Sequence, residues 1–306
     1  MGKYIGKRFL SMLLTLWIIT TITFFLMHAV PGDPFALDRD TPIEVRKNLE
    51  IKYGLDKPLI EQYFIYLGKL VQGDFGISMK YKGQSVVDKV KSGMPESITV
   101  GLGGILVGCF IGSILGIFAA LYRGKGIDYV VIIIAILGVS VPNFVFGSLL
   151  QYVFGVELRI LPVAGWGGLK YIILPIAAAT VRNISFYARM LRTSMLDVMN
   201  QDYIHTALSK GLSQSEVVRK HVLRNSFLPL VTSLGPMLSA MLMGNFVIEK
   251  IYNIPGLGQA FIRAIQNTDY TMIMGLTVIF STITVLMYFV VDILYGLVDP
   301  RIRVQR

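Results

Sequence analysis

Few residues in this 306-residue chain have types and spacings that suggest chemistry, and none of them forms a catalytic set. His28 and His205 stand without a recognisable acid, base or nucleophile partner, so proton shuttling has no pair to run between. Cys109 is the single cysteine, which excludes an intramolecular disulfide and any cysteine-based metal site. No Gly-x-x-x-x-Gly-Lys-Ser/Thr loop occurs, so the chain lacks that cradle for nucleotide phosphates. No His/Cys cluster, nucleophile elbow or spaced carboxylate pair is present either. The expected chemistry is therefore recognition and movement, with no catalytic residue, cofactor or metal in this chain. Two ionisable residues intrude on apolar sequence, Arg182 and Asp292, and each is expected in a structural ion pair or snorkelled toward water rather than on a substrate.

The elements that must position these residues are membrane helices. Hydrophobic residues make up 54% of the chain and charged ones only 16%, well under the ~25% that a soluble surface uses. Charge is absent from Phe9–Ala29, Ile98–Tyr122, Tyr129–Val156, Asn225–Ile248 and Tyr270–Val291, and Tyr171–Ala188 carries only Arg182. The shortest charge-free window has 21 residues, enough at ~1.5 Å per residue to cross a ~30 Å hydrocarbon core. The pattern predicts an all-α polytopic membrane protein with six transmembrane helices. The first window is too long for a signal-peptide core and is expected to be a retained span. With the N-terminus inside, the inner segments hold fourteen basic residues against four in the short outer loops, so both termini are expected in the cytoplasm. The net charge of +10 thus belongs to the inner face, which suits anionic lipid and protein partners rather than nucleic acid.

Three regions follow: residues 1–30 as the cytoplasmic N-terminus and first span, 31–97 as an external helical cap, and 98–306 as a five-span core containing a cytoplasmic loop at 189–225. In the cap, Thr41-Pro42-Ile43-Glu44 reads as a capping box opening a helix that Gly54 ends, and a second helix is expected after Asp56-Lys57-Pro58, stopping near Gly73. In the second span, Gly104, Gly108, Gly112 and Gly116 recur every four residues, stacking on one helix face where a second backbone can approach closely. Pro142, Pro175, Pro229 and Pro236 fall in or at the ends of spans and predict kinks. In the cytoplasmic loop, Leu196, Met199, Tyr203 and Ala207 follow helical spacing, Gly211 is placed to end that helix, and Ser213-Gln214-Ser215-Glu216 is a capping box for another. Tethered by spans at both ends, this pair suits docking of a cytoplasmic protein better than insertion into a DNA groove. Outside, Glu249–Thr268 holds Pro255-Gly256-Leu257-Gly258 followed by an amphipathic stretch too short to cross, expected to re-enter or lie at the surface.

The stretch Ala188–Thr232, ARMLRTSMLDVMNQDYIHTALSKGLSQSEVVRKHVLRNSFLPLVT, resembles the signature loop of ABC importer permeases, in the form of the oligopeptide/dipeptide branch. Further matches are HAVPGDPF at His28–Phe35, KYGLDKPL at Lys52–Leu59, GDFGIS at Gly73–Ser78, SVPNF at Ser140–Phe144, IEKIYNIPGLGQ at Ile248–Gln259 and VDPRIR at Val298–Arg303, together similar to the B-type permease subunit. The signature departs in one place, with His205-Thr206-Ala207 where the general pattern has Glu-Ala-Ala. The resemblance implies the ABC importer permease fold in a bacterial inner membrane, a second homologous permease subunit, two cytoplasmic ATPase subunits that bind the ATP and Mg, and an external peptide-binding protein. It also implies that Met199–Lys220 seats in an ATPase groove, with Tyr203, Ile204, Ala207 and Leu208 in apolar contact, His205, Ser213 and Glu216 beside them, and Gly211 aiming the second helix. Pro255, Gly256, Gly258, Phe261 and Ile265 then lie at the outer mouth as a candidate gate, with the cap Thr41–Gln72 beside them for the receptor. A permease for nickel or another small ligand is the alternative. An ion-coupled secondary transporter fits less well, since only Asp292 supplies a carboxylate near the membrane and no internal repeat is seen.

Overall fold

A computed structural model describes residues 2–29, 51, 54–81, 83–242 and 245–298. Among them every regular element is helical, and the one extended pairing is an isolated bridge between Ile77 and Ser85. In chain order the helices are α1 Gly2–Ala29, α2 Leu59–Val71, α3 Val86–Leu121, α4 Gly126–Ser140, α5 Asn143–Leu150, α6 Leu169–Met199, α7 Asp202–Ser209, α8 Gln214–Val217, α9 Leu223–Ser226, α10 Leu228–Leu242, α11 Phe246–Ile251, α12 Leu257–Gln266 and α13 Tyr270–Val298. Wide π-type turns extend α5 through Gln151–Glu157 and join α8 to α9 through Val218–Val222. The cap helix expected after Thr41 lies outside the described residues; the second one is α2, whose start follows Pro58 and whose chain leaves through Gly73 at φ 78°.

Four stretches are long and apolar enough to cross a membrane: Ile5–Ala29, Val86–Leu121, Leu169–Met199 and Tyr270–Val291. The window Tyr129–Val156, expected as one straight span, is instead two helices bent by 100°. The cause is local: Val141 takes an extended conformation, φ −91° and ψ 125°, as a residue before proline prefers, and Pro142 opens α5. If this bent pair counts as one span, the described residues hold up to five such stretches, beside the six spans expected. The window Asn225–Ile248 likewise is no single helix. It is divided among α9, α10 and α11, with Pro229 in the first turn of α10 and Pro236 inside it. The second span, by contrast, starts earlier than its apolar window, and at 36 residues α3 is ~54 Å long, more than a hydrocarbon core needs.

The chain divides into two compact units, Met1–Pro95 with Gly256–Arg306, and Glu96–Pro255. In the first, α1 packs along α13, with Phe9 against Phe289 at 6.3 Å between ring centroids. Phe24, Tyr63, Tyr270 and Met274 form its buried aromatic centre, where the Thr21 and Tyr63 hydroxyls share a hydrogen bond of 2.7 Å. Asp269 anchors the segment after α2. Its buried carboxylate accepts from the Ser78 hydroxyl and from the Met79 and Met272 amides, both at 3.2 Å, thereby also capping α13.

The second unit is organised around α6, which packs against α4, α5, α10 and α11. Tyr187, Leu191 and Met195 are fully buried in its lower core together with Val217, Val222 and Leu230. Tyr252 closes the upper core, donating its hydroxyl to the Gly147 carbonyl at 2.8 Å, and the buried Glu249 accepts from Ser97 at 2.8 Å.

Candidate functional site

The expected coupling element is built from residues 199–226. The helix expected to run from Leu196 toward Gly211 is interrupted: α6 ends at Met199, and Gln201, in an extended conformation, opens α7. α7 ends on a left-handed glycine, with Gly211 at φ +87°, the Gly211 amide bonded to the Leu208 carbonyl at 2.9 Å and the Leu212 amide to the Ala207 carbonyl at 3.3 Å. These paired bonds satisfy carbonyls that the helix end would leave open, and the positive φ is what calls for glycine. Two residues on, the Ser213 hydroxyl accepts from the Glu216 amide at 3.3 Å and starts α8. Only half of the capping box forms. The Glu216 carboxylate turns to Lys220, 2.8 Å away, whose ammonium holds the carboxyl below its ordinary pKa.

Of the four residues expected in apolar contact with a partner, Ile204 and Ala207 are buried, in a cluster with Leu191, Met195 and Val222. Tyr203 and Leu208 are exposed and flank an outward face of Asp202, His205, Thr206 and Ser209, all exposed as well. The Tyr203 hydroxyl receives a hydrogen bond from the Asn225 amide at 2.8 Å, tying α7 to the end of α9.

Above this element, Asp128 and Arg192 form a two-pronged ion pair, Nε to Oδ1 at 2.6 Å and Nη2 to Oδ2 at 2.8 Å. Asp128 also accepts from the Gly124 amide at 2.9 Å, so the turn into α4 is fixed to the lower part of α6. Sequence reasoning missed this pair. The residues are 64 apart, and the only signal was a lone carboxylate at the foot of an apolar run.

The glycine row of α3 faces α6. A Cβ on Gly104 would lie 2.8 Å from Ala179, one on Gly112 would lie 2.7 Å from the Ile184 carbonyl, and one on Gly116 would lie 2.7 Å from the Ala188 carbonyl. At Gly108 the added carbon would collide with Asn183. Each position therefore replaces a side chain with neighbouring backbone or Cβ.

In the candidate gate segment, Pro255 is exposed whereas Gly256 and Gly258 are buried. Leu257 opens α12, Phe261 is half-buried against the Phe280 ring at 5.8 Å, and Ile265 is exposed. Arg182, expected in an ion pair or snorkelled, is exposed and makes no hydrogen bond or ion pair with any described residue. The Asp292 side chain lies outside what is described.

Helices long and apolar enough to cross a membrane, with a glycine-ended pair of short helices after α6, define a multi-span membrane protein. Residues 112–304 match the family described as binding-protein-dependent transport system inner membrane component, and residues 1–101 match the N-terminal family of such membrane components. The chain belongs to this family and is a multi-pass protein of the bacterial inner membrane. It is 44% identical over 306 residues to the dipeptide transport system permease protein DppB of Bacillus subtilis, covering 100% of this chain and 99% of that one. It is 43% identical to the oligopeptide transport system permease protein OppB of Haemophilus influenzae and 40% identical to OppB of Escherichia coli K12, over 99% of this chain and 100% of each relative.

Proposed function

We propose that the chain is one of two permease subunits of an ATP-driven importer for dipeptides and oligopeptides. It forms half of the translocation pathway and itself performs no catalysis. A second, similar permease completes the pathway, two cytoplasmic ATPase subunits bind ATP and Mg, and an external peptide-binding protein delivers the cargo. The observation that carries this reading is the 40–44% identity to dipeptide and oligopeptide permeases from end to end of the chain. The cytoplasmic element supports the coupling part, since α7 presents Tyr203, His205 and Leu208 while Ile204 and Ala207 root it in the permease core. A docked helix held from behind passes a push from the motor to α6 rather than absorbing it. The outer helix α12 and the external cap supply the receptor side in this scheme.

The test is uptake by proteoliposomes containing this chain with its neighbouring permease, ATPases and receptor. Labelled di- and oligopeptides should accumulate only with ATP inside, and collapse of the proton gradient should leave the rate unchanged. Uptake of nickel without peptide, or loss of uptake with the gradient, would refute the assignment.

A further inference from the structure

Arg182 is the fourteenth of 31 residues in α6, ~20 Å along the helix from its start, which puts it in the middle of the span. A cation at that depth is costly unless it meets a counter-charge or water, and no described residue pairs with it. It faces instead into two neighbouring cavities of about 520 Å³ and 500 Å³, both also lined by Asn143 and Asn245. Cavities of this size match those that hold small ligands, ~300–1,000 Å³. Asn183 adds a third amide on the same helix; its nitrogen is occupied by the Ala179 carbonyl at 3.2 Å, which leaves its oxygen to the cavity. Apart from the Ser233 hydroxyl, the rest of the larger cavity is apolar and compliant, with Phe186, Met237 and Met241.

We propose that Arg182, flanked by Asn143 and Asn245, is a transit site for the terminal carboxylate of a peptide passing through the permease. The inference rests on the peptide reading above and adds where, and by which end, the cargo is held. A guanidinium presents paired donors that match a carboxylate. The asparagine amides complement peptide N–H and C=O groups whatever the side chains, and the methionines and phenylalanine accept varied apolar residues. One charged contact in an open cavity is strong enough to orient a peptide and weak enough to release it, as conduction through a pathway requires.

The experiment uses the complete assembly in proteoliposomes and two cargo peptides, a tripeptide with a free C-terminal carboxylate and the same tripeptide amidated. Uptake is measured at sub-saturating peptide for the unaltered protein and for Arg182→Gln, and each peptide is scored as the variant-to-wild-type ratio, so the receptor's own preference cancels. The expected result is a fall of about tenfold for the carboxylate peptide, the effect of one charge-assisted hydrogen bond, and a change under about twofold for the amide. Arg182→Lys should recover part of the lost uptake, since it keeps the charge and loses the paired donors. In parallel, a photoreactive group on the C-terminal residue of the peptide should label Phe186 or Met237 during ATP-driven turnover. Equal losses for both peptides, or labelling confined to other regions, would overturn the site and point to subunit pairing by Arg182. Unaltered protein that takes up neither peptide would sink the peptide reading along with it, whereas wild-type uptake with an indifferent Arg182→Gln would sink this site alone.

Discussion

At the scale of single residues, Gly211 and the Asp128–Arg192 pair carry the sharpest consequences. Gly211 has open space where a Cβ would sit, so a substitution there meets no clash; the obstacle is its φ of +87°, which costs a β-branched residue ~1–2 kcal/mol. Gly211→Val should thus leave the protein in the membrane but re-aim α8, and the reconstituted assembly should hydrolyse ATP without matching peptide uptake. Normal peptide-stimulated hydrolysis together with normal uptake would exclude the turn from coupling. Arg192→Ala should act differently, by stranding a carboxylate whose side chain is only 4% exposed. The expected loss is about 3 kcal/mol of stability, read as a lower unfolding temperature in detergent, with Arg192→Lys intermediate because it keeps the charge and loses the fork. The glycine and its serine cap were legible in the sequence because each acts within four residues of itself. The ion pair was not, because nothing along the chain says which of many arginines meets a given aspartate.

At the scale of elements, the same division between local and distant causes holds. The row Gly104, Gly108, Gly112 and Gly116 was legible as one face of a helix, but its partner α6 became known only through packing. The proline at 142 was legible as a kink, but the size of the bend, 100°, and the packing of both α4 and α5 on α6 were not. Windows of apolar sequence overstated continuity for that reason: composition records what may enter lipid, and it does not record where prolines break the rod. The glycine row gives a graded prediction. Gly112→Leu must displace the Ile184 carbonyl and Tyr187, so folded protein in detergent should fall sharply, and even Gly112→Ala should cost about 1–3 kcal/mol as overpacking. Ile111→Leu, on a partly exposed face beside it, should be nearly neutral. Equal tolerance of all three changes would mean that α3 and α6 do not need their close approach.

At the scale of the whole molecule, the class was legible in composition, because the bilayer acts on every residue alike. The functional burial pattern was not. The resemblance grouped Tyr203, Ile204, Ala207 and Leu208 as a contact surface, whereas two of them serve the core and two are exposed. The outer helix shows the same split and supports a test of gating. Phe261 is half-buried beside Phe280, and Ile265 is 52% exposed. In an otherwise cysteine-free background, with Cys109 replaced by serine, cysteine at position 265 should react with an impermeant thiol reagent in every nucleotide state and report that α12 remains reachable. Cysteine at position 261 should react slowly at rest, because that half-buried position faces the Phe280 ring, and faster when ATP traps the assembly and α12 swings open. The measured quantity is the ratio of the two rates. A ratio that stays constant across nucleotide-free, ATP-trapped and ADP-bound assemblies would show that α12 is a fixed part of the outer surface and that gating lies elsewhere.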